Sequence, residues 1–149
     1  MKIGIANDHT GIEMKEGITK YLENMGHEVI NYGTDEAEST SYVIWGEKVA
    51  NEVAAGNLDL GIAICGTGLG MSIAANKFKG IRCTVCYSEE VARYAKTHND
   101  SNILALGAEV NTVSQVIEII RVWLAAEFEG ERHKRRIEMI KEFEKDNLK

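Results

Sequence analysis

The sequence predicts an α/β fold, in which successive βα units surround a mostly parallel sheet of five strands. Three observations carry this. Short apolar, β-branched runs alternate with longer amphipathic ones along the chain, the pattern such units produce. With 149 residues and 44% hydrophobic content, the chain can bury one real core but not two, so a single domain over residues 1–149 is expected. No repeat, low-complexity stretch or Pro/Gly linker divides it, and proline is absent altogether.

The strands expected are Lys2–Ala6, Glu28–Tyr32, Leu60–Cys65, Arg82–Cys86 and Asn102–Leu106. Between the first two, Met14, Ile18, Tyr21, Leu22 and Met25 recur at spacings of three and four, so they share one face of a helix that Gly26 ends. A second helix is expected from about Val43 to Ala55, closed by Gly56-Asn57. A third opens at a glycine-rich turn and carries Ser72–Asn76. Further helices fit Glu89–Thr97 and Val113–Phe128. The charged segment Glu131–Lys149 keeps Ile137, Ile140 and Phe143 at spacings of three, which reads as a helix from about 131 to 147 packed on the domain or on a partner subunit.

A net charge of −6 argues against nonspecific contact with nucleic acid or an anionic membrane, since both need a positive surface. Lys2–Ala6 after Met1 lacks the features of a secretory signal, and no run approaches membrane-spanning length. Cys65, Cys83 and Cys86 make an odd set with no disulfide framework, so a reducing cytoplasm is the expected compartment. Cys83-Thr84-Val85-Cys86 has metal-site spacing, but in a strand its two thiols face opposite ways and no second pair completes a site. Strand packing is the reading preferred.

Ligands of open parallel sheets bind beyond the carboxyl ends of the strands. Two polar or glycine-rich turns lie there: Asn7-Asp8-His9-Thr10-Gly11 after the first strand, and Cys65-Gly66-Thr67-Gly68-Leu69-Gly70-Met71-Ser72 after the third. If the strand order begins 2-1-3, they flank one crevice. The backbone N–H groups of the second turn, at the start of a helix, favour an anion, whether thiolate or oxyanion. A small buried strand-end cysteine is the bland alternative. The glycine spacing, G-x-G-x-G after the third strand, matches neither a dinucleotide fingerprint nor a P-loop. His9 beside Asp8 fits either a phosphate ligand or a helix start, and His27 a solvated turn. His98-Asn99-Asp100 is a dense polar cluster before an apolar strand, open to a turn role or a catalytic one. Arg132 and Arg136, four apart on a helix, suit a phosphate clamp or a solvated charged face.

Taken together, Asp8-His9-x-Gly11, the block Cys65-Gly66-Thr67-Gly68-x-Gly70-x-Ser72-x-Ala74-Ala75-Asn76-Lys77, His98-Asn99-Asp100 and Glu129-Gly130-x-Arg132-His133-x-x-Arg136 resemble the family of type B ribose-5-phosphate isomerase and galactose-6-phosphate isomerase. The match runs from residue 1 to about 140. The resemblance implies a Rossmann-like, doubly wound three-layer α/β/α sandwich with strands ordered 2-1-3-5-4. It implies an aldose–ketose isomerase of sugar phosphates, most simply ribose 5-phosphate and ribulose 5-phosphate, with a hexose 6-phosphate (galactose, allose) or a tetrose phosphate as alternatives.

On that resemblance Cys65 is the base that moves a proton between C1 and C2 through a cis-enediolate. The amides from Gly66 through Gly68 to Gly70 hold the enediolate, and Thr67 assists at the hydroxyls. His98 opens the sugar ring, and Asp8 and Asn99 place substrate oxygens. His9, Arg132 and Arg136 hold the phosphate, and Tyr42 and Ser72 complete the substrate site. No metal or organic cofactor is implied. A homodimer or tetramer with active sites shared between subunits is.

Two positions depart from the family's pattern. Ser41-Tyr42-Val43 replaces Asp-Tyr-Pro, losing an acidic group and a proline-fixed turn, and Glu109 stands where arginine is usual. A noncatalytic sugar-phosphate sensor or regulatory subunit, and a flavodoxin-like nucleotide binder, are the competing classes. The glycine spacing disfavours the latter.

Overall fold

The computed structural model describes residues 1–148. Strands β1 (Lys2–Asn7), β3 (Leu60–Cys65) and β5 (Ile103–Gly107) are buried along almost their whole length, as strands covered on both faces must be. They form the middle of a five-stranded, all-parallel sheet ordered β2-β1-β3-β5-β4. Its edges are the shorter and less buried β2 (Glu28–Asn31) and β4 (Cys83–Val85). The expected strand order and class are therefore observed. β4 is shorter than the Arg82–Cys86 expected, because Asn102 Oδ1 accepts from the Arg82 amide and so takes its ladder position.

Among the described residues there are six α-helices: α1 (Ile12–Asn24), α2 (Tyr42–Ala54), α3 (Leu69–Ala75), α4 (Glu89–Thr97) and α5 (Val113–Ala125) cover the sheet, and α6 (Arg132–Asn147) adds nothing to the core of either face. Met14, Ile18 and Leu22 of α1, Ala92 and Ala95 of α4, and Ile119, Ile120 and Trp123 of α5 pack on one face against Ile3, Ile5, Ile62, Ile64, Leu104 and Leu106. Val49, Ala50 and Val53 of α2, with Met71 and Ala75 of α3, pack on the other against Ala63, Ile103 and Ala105. Truncating a fully buried residue such as Leu22 or Ile62 to alanine would cost about 2–5 kcal/mol.

Helix ends follow local chemistry. Gly26, at φ +90°, closes α1 while His27 N–H reaches back to Leu22 O at 3.0 Å. Thr112 and Gln115 form a reciprocal capping box on α5, and such caps contribute about 1 kcal/mol. α5 stops at Ala125, short of the expected Phe128, because Ala126 turns extended. His27 is half-buried rather than solvated: its Nδ1 lies 3.0 Å from the amino terminus.

Cys83 lies in the core of the α2/α3 face and Cys86 in that of the opposite face, as strand alternation requires. All three cysteines are free and buried. On α6 only Ile137 of the expected apolar trio is buried, while Ile140 is 45% and Phe143 69% exposed. Among the described residues no helix is long and apolar enough to cross a membrane.

Candidate active site

β3 carries the chain out of the sheet at Cys65, and the glycine turn brings it back into α3. The turn lies flat on the end of β5: Ala108 N–H donates to Cys65 O and Glu109 N–H to Gly66 O, each at 2.9 Å. Gly68 makes this possible. It sits at φ +82°, and a Cβ there would stand 3.0–3.2 Å from the backbone of Leu106, so a side chain would meet strain and crowding together. In this conformation the Gly68 N–H points to Cys65 Sγ at 3.1 Å. One backbone N–H thus lies on the sulfur, in the turn that leads into α3.

Burial pushes the Cys83 thiol up to about 12, with the neighbouring Cys86 and Cys65 adding to it. Burial also raises Cys86.

The turn is buttressed from outside. Tyr87 O–H donates to Thr67 O at 2.6 Å, and Thr67 Oγ1 accepts from Leu69 N–H at 3.2 Å. Ser72 Oγ donates back to Leu69 O at 2.8 Å. Tyr42, at the start of α2, lies against Gly70, where a Cβ would be 2.5 Å from its ring. Ser41 caps α2 by accepting from Val43 N–H at 3.2 Å. The helix start at Ser41-Tyr42-Val43 is thus capped without the proline or the acidic group, since serine caps a helix as well as aspartate does.

The register pairs Asn7 with Ile64, which sets Asp8 beside Cys65. Asp8 is buried, and its Oδ1 accepts from Thr10 N–H at 3.0 Å and Oγ1–H at 2.6 Å. His9 opens a single 3-10 turn, His9–Gly11, and its Nδ1 accepts from Thr40 N–H at 3.1 Å. That leaves Nε2 for a ligand. The loop that supplies Thr40 is held by Lys15, buried to 4% exposure, whose Nζ donates to Thr34 O at 2.7 Å and pairs with Asp35 Oδ1 at 2.5 Å. Asp8, His9, Tyr42, Cys65, Gly66, Thr67, Gly68, Gly70 and Ser72 thus gather at the carboxyl end of the sheet.

His98, Asn99, Arg132 and Arg136 do not join them. α4 runs back across the sheet, so His98 and Asn99 stand before β5, whereas Cys65 pairs with its last residue, Gly107. The four steps from Ile103 to Gly107 alone span about 13 Å. At this far end His98 stacks on His133 of α6, centroids 4.3 Å apart, and Asp100 takes φ +48° to turn the chain. Arg132 and Arg136 are exposed on the first turns of α6.

Glu109 is exposed at the thiol end, its carboxylate 3.1–3.4 Å from where a Gly66 Cβ would lie. Sequence reasoning gave no role to Tyr87, Lys15, Glu129 or His133. Glu129 and His133 carried a signal only as members of the motif Glu129-Gly130-x-Arg132-His133-x-x-Arg136.

A free thiol on a glycine turn at the carboxyl end of a parallel sheet, beside a buried aspartate, lies where α/β enzymes of this topology bind their ligands. A sequence model described as Ribose/Galactose Isomerase matches residues 3–140. The chain is 45% identical over 139 residues to Ribose-5-phosphate isomerase B of Escherichia coli (strain K12), covering 93% of each. It is 39% identical over 137 residues to Galactose-6-phosphate isomerase subunit LacB of Clostridium acetobutylicum, covering 92% of this chain and 79% of that one. The solved structure of Clostridium thermocellum Ribose-5-Phosphate Isomerase B superposes with a TM-score of 0.97 at 50% identity, covering 99% of both chains. The chain belongs to the ribose/galactose isomerase family and is an aldose–ketose isomerase.

Proposed function

We propose that the protein interconverts ribose 5-phosphate and ribulose 5-phosphate by proton transfer at Cys65. The observation that carries this reading is the Gly68 amide directed at Cys65 Sγ, in a chain whose relatives and structural neighbours include proteins named Ribose-5-phosphate isomerase B. In the proposed reaction the Cys65 thiolate takes the C2 hydrogen of the open-chain aldose as a proton. The electron pair forms the C1–C2 double bond, and the charge on O1 is met by the amides of Gly66 to Gly70. A proton passes between O2 and O1, with Thr67 assisting, and the Cys65 thiol returns its proton to C1. Tyr42 and Ser72 border the substrate, Asp8 and Asn99 place its oxygens, and His98 opens the furanose ring. His9, Arg132 and Arg136 hold the phosphate.

Because His98 and the arginines stand at the far end of the sheet from Cys65, this division of labour needs a second copy of the chain. An isologous homodimer, alone or within a tetramer, would bring one copy's His98 to the other's Cys65. Tyr42, Val43, Ile44, Leu69 and Ile73 leave an apolar surface exposed around the thiol turn, which supports such contact. Three free thiols fit a cytoplasmic location.

The test is a proton NMR screen of aldose phosphates in D2O. Ribose 5-phosphate should give ketose carrying deuterium at C1, and Cys65→Ala should abolish this while the protein stays folded. Exchange that persists in the folded variant removes Cys65 as the base. A second reading, a hexose 6-phosphate substrate, is supported by the 39% identity to Galactose-6-phosphate isomerase subunit LacB. It predicts faster turnover of galactose or allose 6-phosphate in the same screen.

A further inference from the structure

The stretch between α5 and α6 is tied to the end of α4 by Glu129 N–H, which donates to Thr97 O at 3.0 Å. This sets the Glu129 carboxylate between two imidazoles: Oε1 lies 3.9 Å from His98 Nε2 and 3.7 Å from His133 Nε2. The rings are stacked with their planes 10° apart, and Tyr94 leans on His98 at 4.9 Å. His133 is 6% exposed, and its Nε2 has no hydrogen-bond partner. A buried ring nitrogen left unpaired beside a carboxylate calls for an explanation.

The three ligand atoms lie within 4.8 Å of one another, which satisfies the count for a metal site, but the stacking speaks against one. Lone pairs of nearly parallel rings lie in separate planes, and an ion about 2.0–2.1 Å from each nitrogen cannot lie in both. The arrangement suits a carboxylate shared between two rings. Its contacts are slightly long, as those of acid–base pairs are before substrate covers them.

We propose that Glu129 is a positioning residue for His98: its carboxylate draws the Nε2–H toward itself as hydrogen-bond acceptor, leaves the Nδ1 lone pair free in the neutral ring, and stabilises the imidazolium formed during ring opening. This rests on the reading in which His98 opens the sugar ring, and the logic is that of a carboxylate orienting a catalytic histidine. His133 is the neutral platform beneath it. Its burial first, then the charge of Arg132, lower its pKa from the ordinary histidine value; His98 and Arg136 act in the same sense and Glu129 against it. The groups packed against His98 are thus Tyr94 from α4, Glu129 from the connecting stretch and His133 from α6. Glu129 brings the negative charge to that set.

The test separates ring opening from proton transfer. Ribose 5-phosphate enters as a ring, whereas ribulose 5-phosphate has no free 5-hydroxyl with which to close one, so exchange of its C1 hydrogen with solvent uses the Cys65 step without ring opening. Glu129→Gln keeps the shape and removes the charge. Turnover of the aldose should fall about 10–100-fold in kcat with KM little changed, and its acidic pH limb should move to lower pH. Glu129→Asp should recover part of the rate, and C1 exchange of the ketose should stay within about twofold of wild type, as a rate limited by the Cys65 step would. An unchanged aldose kcat and pH profile, or an equal loss in both reactions, overturns the proposal. Wild-type protein that turns over neither sugar overturns the reading beneath it, and Glu129's role with it.

Discussion

Gly68→Ala puts the thiol turn to a test of one methyl group. The added Cβ meets two costs. The first is the left-handed backbone at φ +82°, about 1–2 kcal/mol for a residue with a side chain. The second is crowding, because the Leu106 backbone C, O and N stand 3.0, 3.1 and 3.2 Å away. Leu106 belongs to β5, held between β3 and β4, so it cannot recede without disturbing two ladders, and overpacking of this kind adds about 1 kcal/mol or more. The sum, about 2–3 kcal/mol, corresponds to a fall in Tm of about 4–12 °C for a chain of this size.

Gly80 supplies the control. It has the same φ of +82°, with nothing within 4 Å of its Cβ position, so Gly80→Ala carries the backbone cost alone. Thermal unfolding followed by circular dichroism should rank wild type above Gly80→Ala above Gly68→Ala. Solvent exchange at the substrate carbon should fall about 10–100-fold only in Gly68→Ala, where the amide is pushed off Cys65 Sγ. Equal Tm values for the two variants would refute the close-approach argument. Full activity in Gly68→Ala would refute the assignment of that amide to the chemistry.

Glu109→Arg exchanges an anion for a cation beside the turn and should lower KM for ribose 5-phosphate; steady-state kinetics check this, and an unchanged KM would mean that Glu109 lies off the phosphate. Glu131 opens α6 at φ +52° without a side-chain cap, so Glu131→Gly should raise Tm by about 2–4 °C, the equivalent of roughly 1 kcal/mol. The Lys15 hydrogen bond, then that from Asn31, lowers the Asp35 pKa from its ordinary value. A depressed carboxyl contributes stability above its unfolded pKa and loses it as pH falls through the folded one. Denaturant titrations should therefore show Asp35→Asn less stable than wild type near neutrality, with the gap closing in acid. Co-refolding inactive Cys65→Ala with inactive His98→Asn should restore about a quarter of wild-type activity if each site draws on two chains; no recovery would place both groups within one chain's reach.

What was legible beforehand follows from periodicity. The central strands are apolar on both faces, and α1 repeats its buried residues every three or four positions, so class and strand positions could be read locally. The opposite facing of Cys83 and Cys86 could be read in the same way. Boundaries that depend on a distant partner could not. Asn102 shortens β4 from 20 residues away along the chain, and Lys15 clamps a loop from 19 and 20 away. Tyr87 donates to Thr67 across the same separation. Ser41 acts locally instead, accepting from Val43 N–H at the start of α2.

The same topology explains why the motif residues fall into two groups. In a parallel sheet every strand leaves at the same end, so turns that follow strands, such as those after Asn7 and Cys65, converge without further help. Residues that follow helices come out at the opposite end, and His98 closes α4 just as Arg132 opens α6 there. No adjustment of side chains moves a group along the length of β5. A chemistry that needs both groups must be completed by another molecule's far end, and that is why the distance between His98 and Cys65, more than any contact within the chain, argues for a shared site.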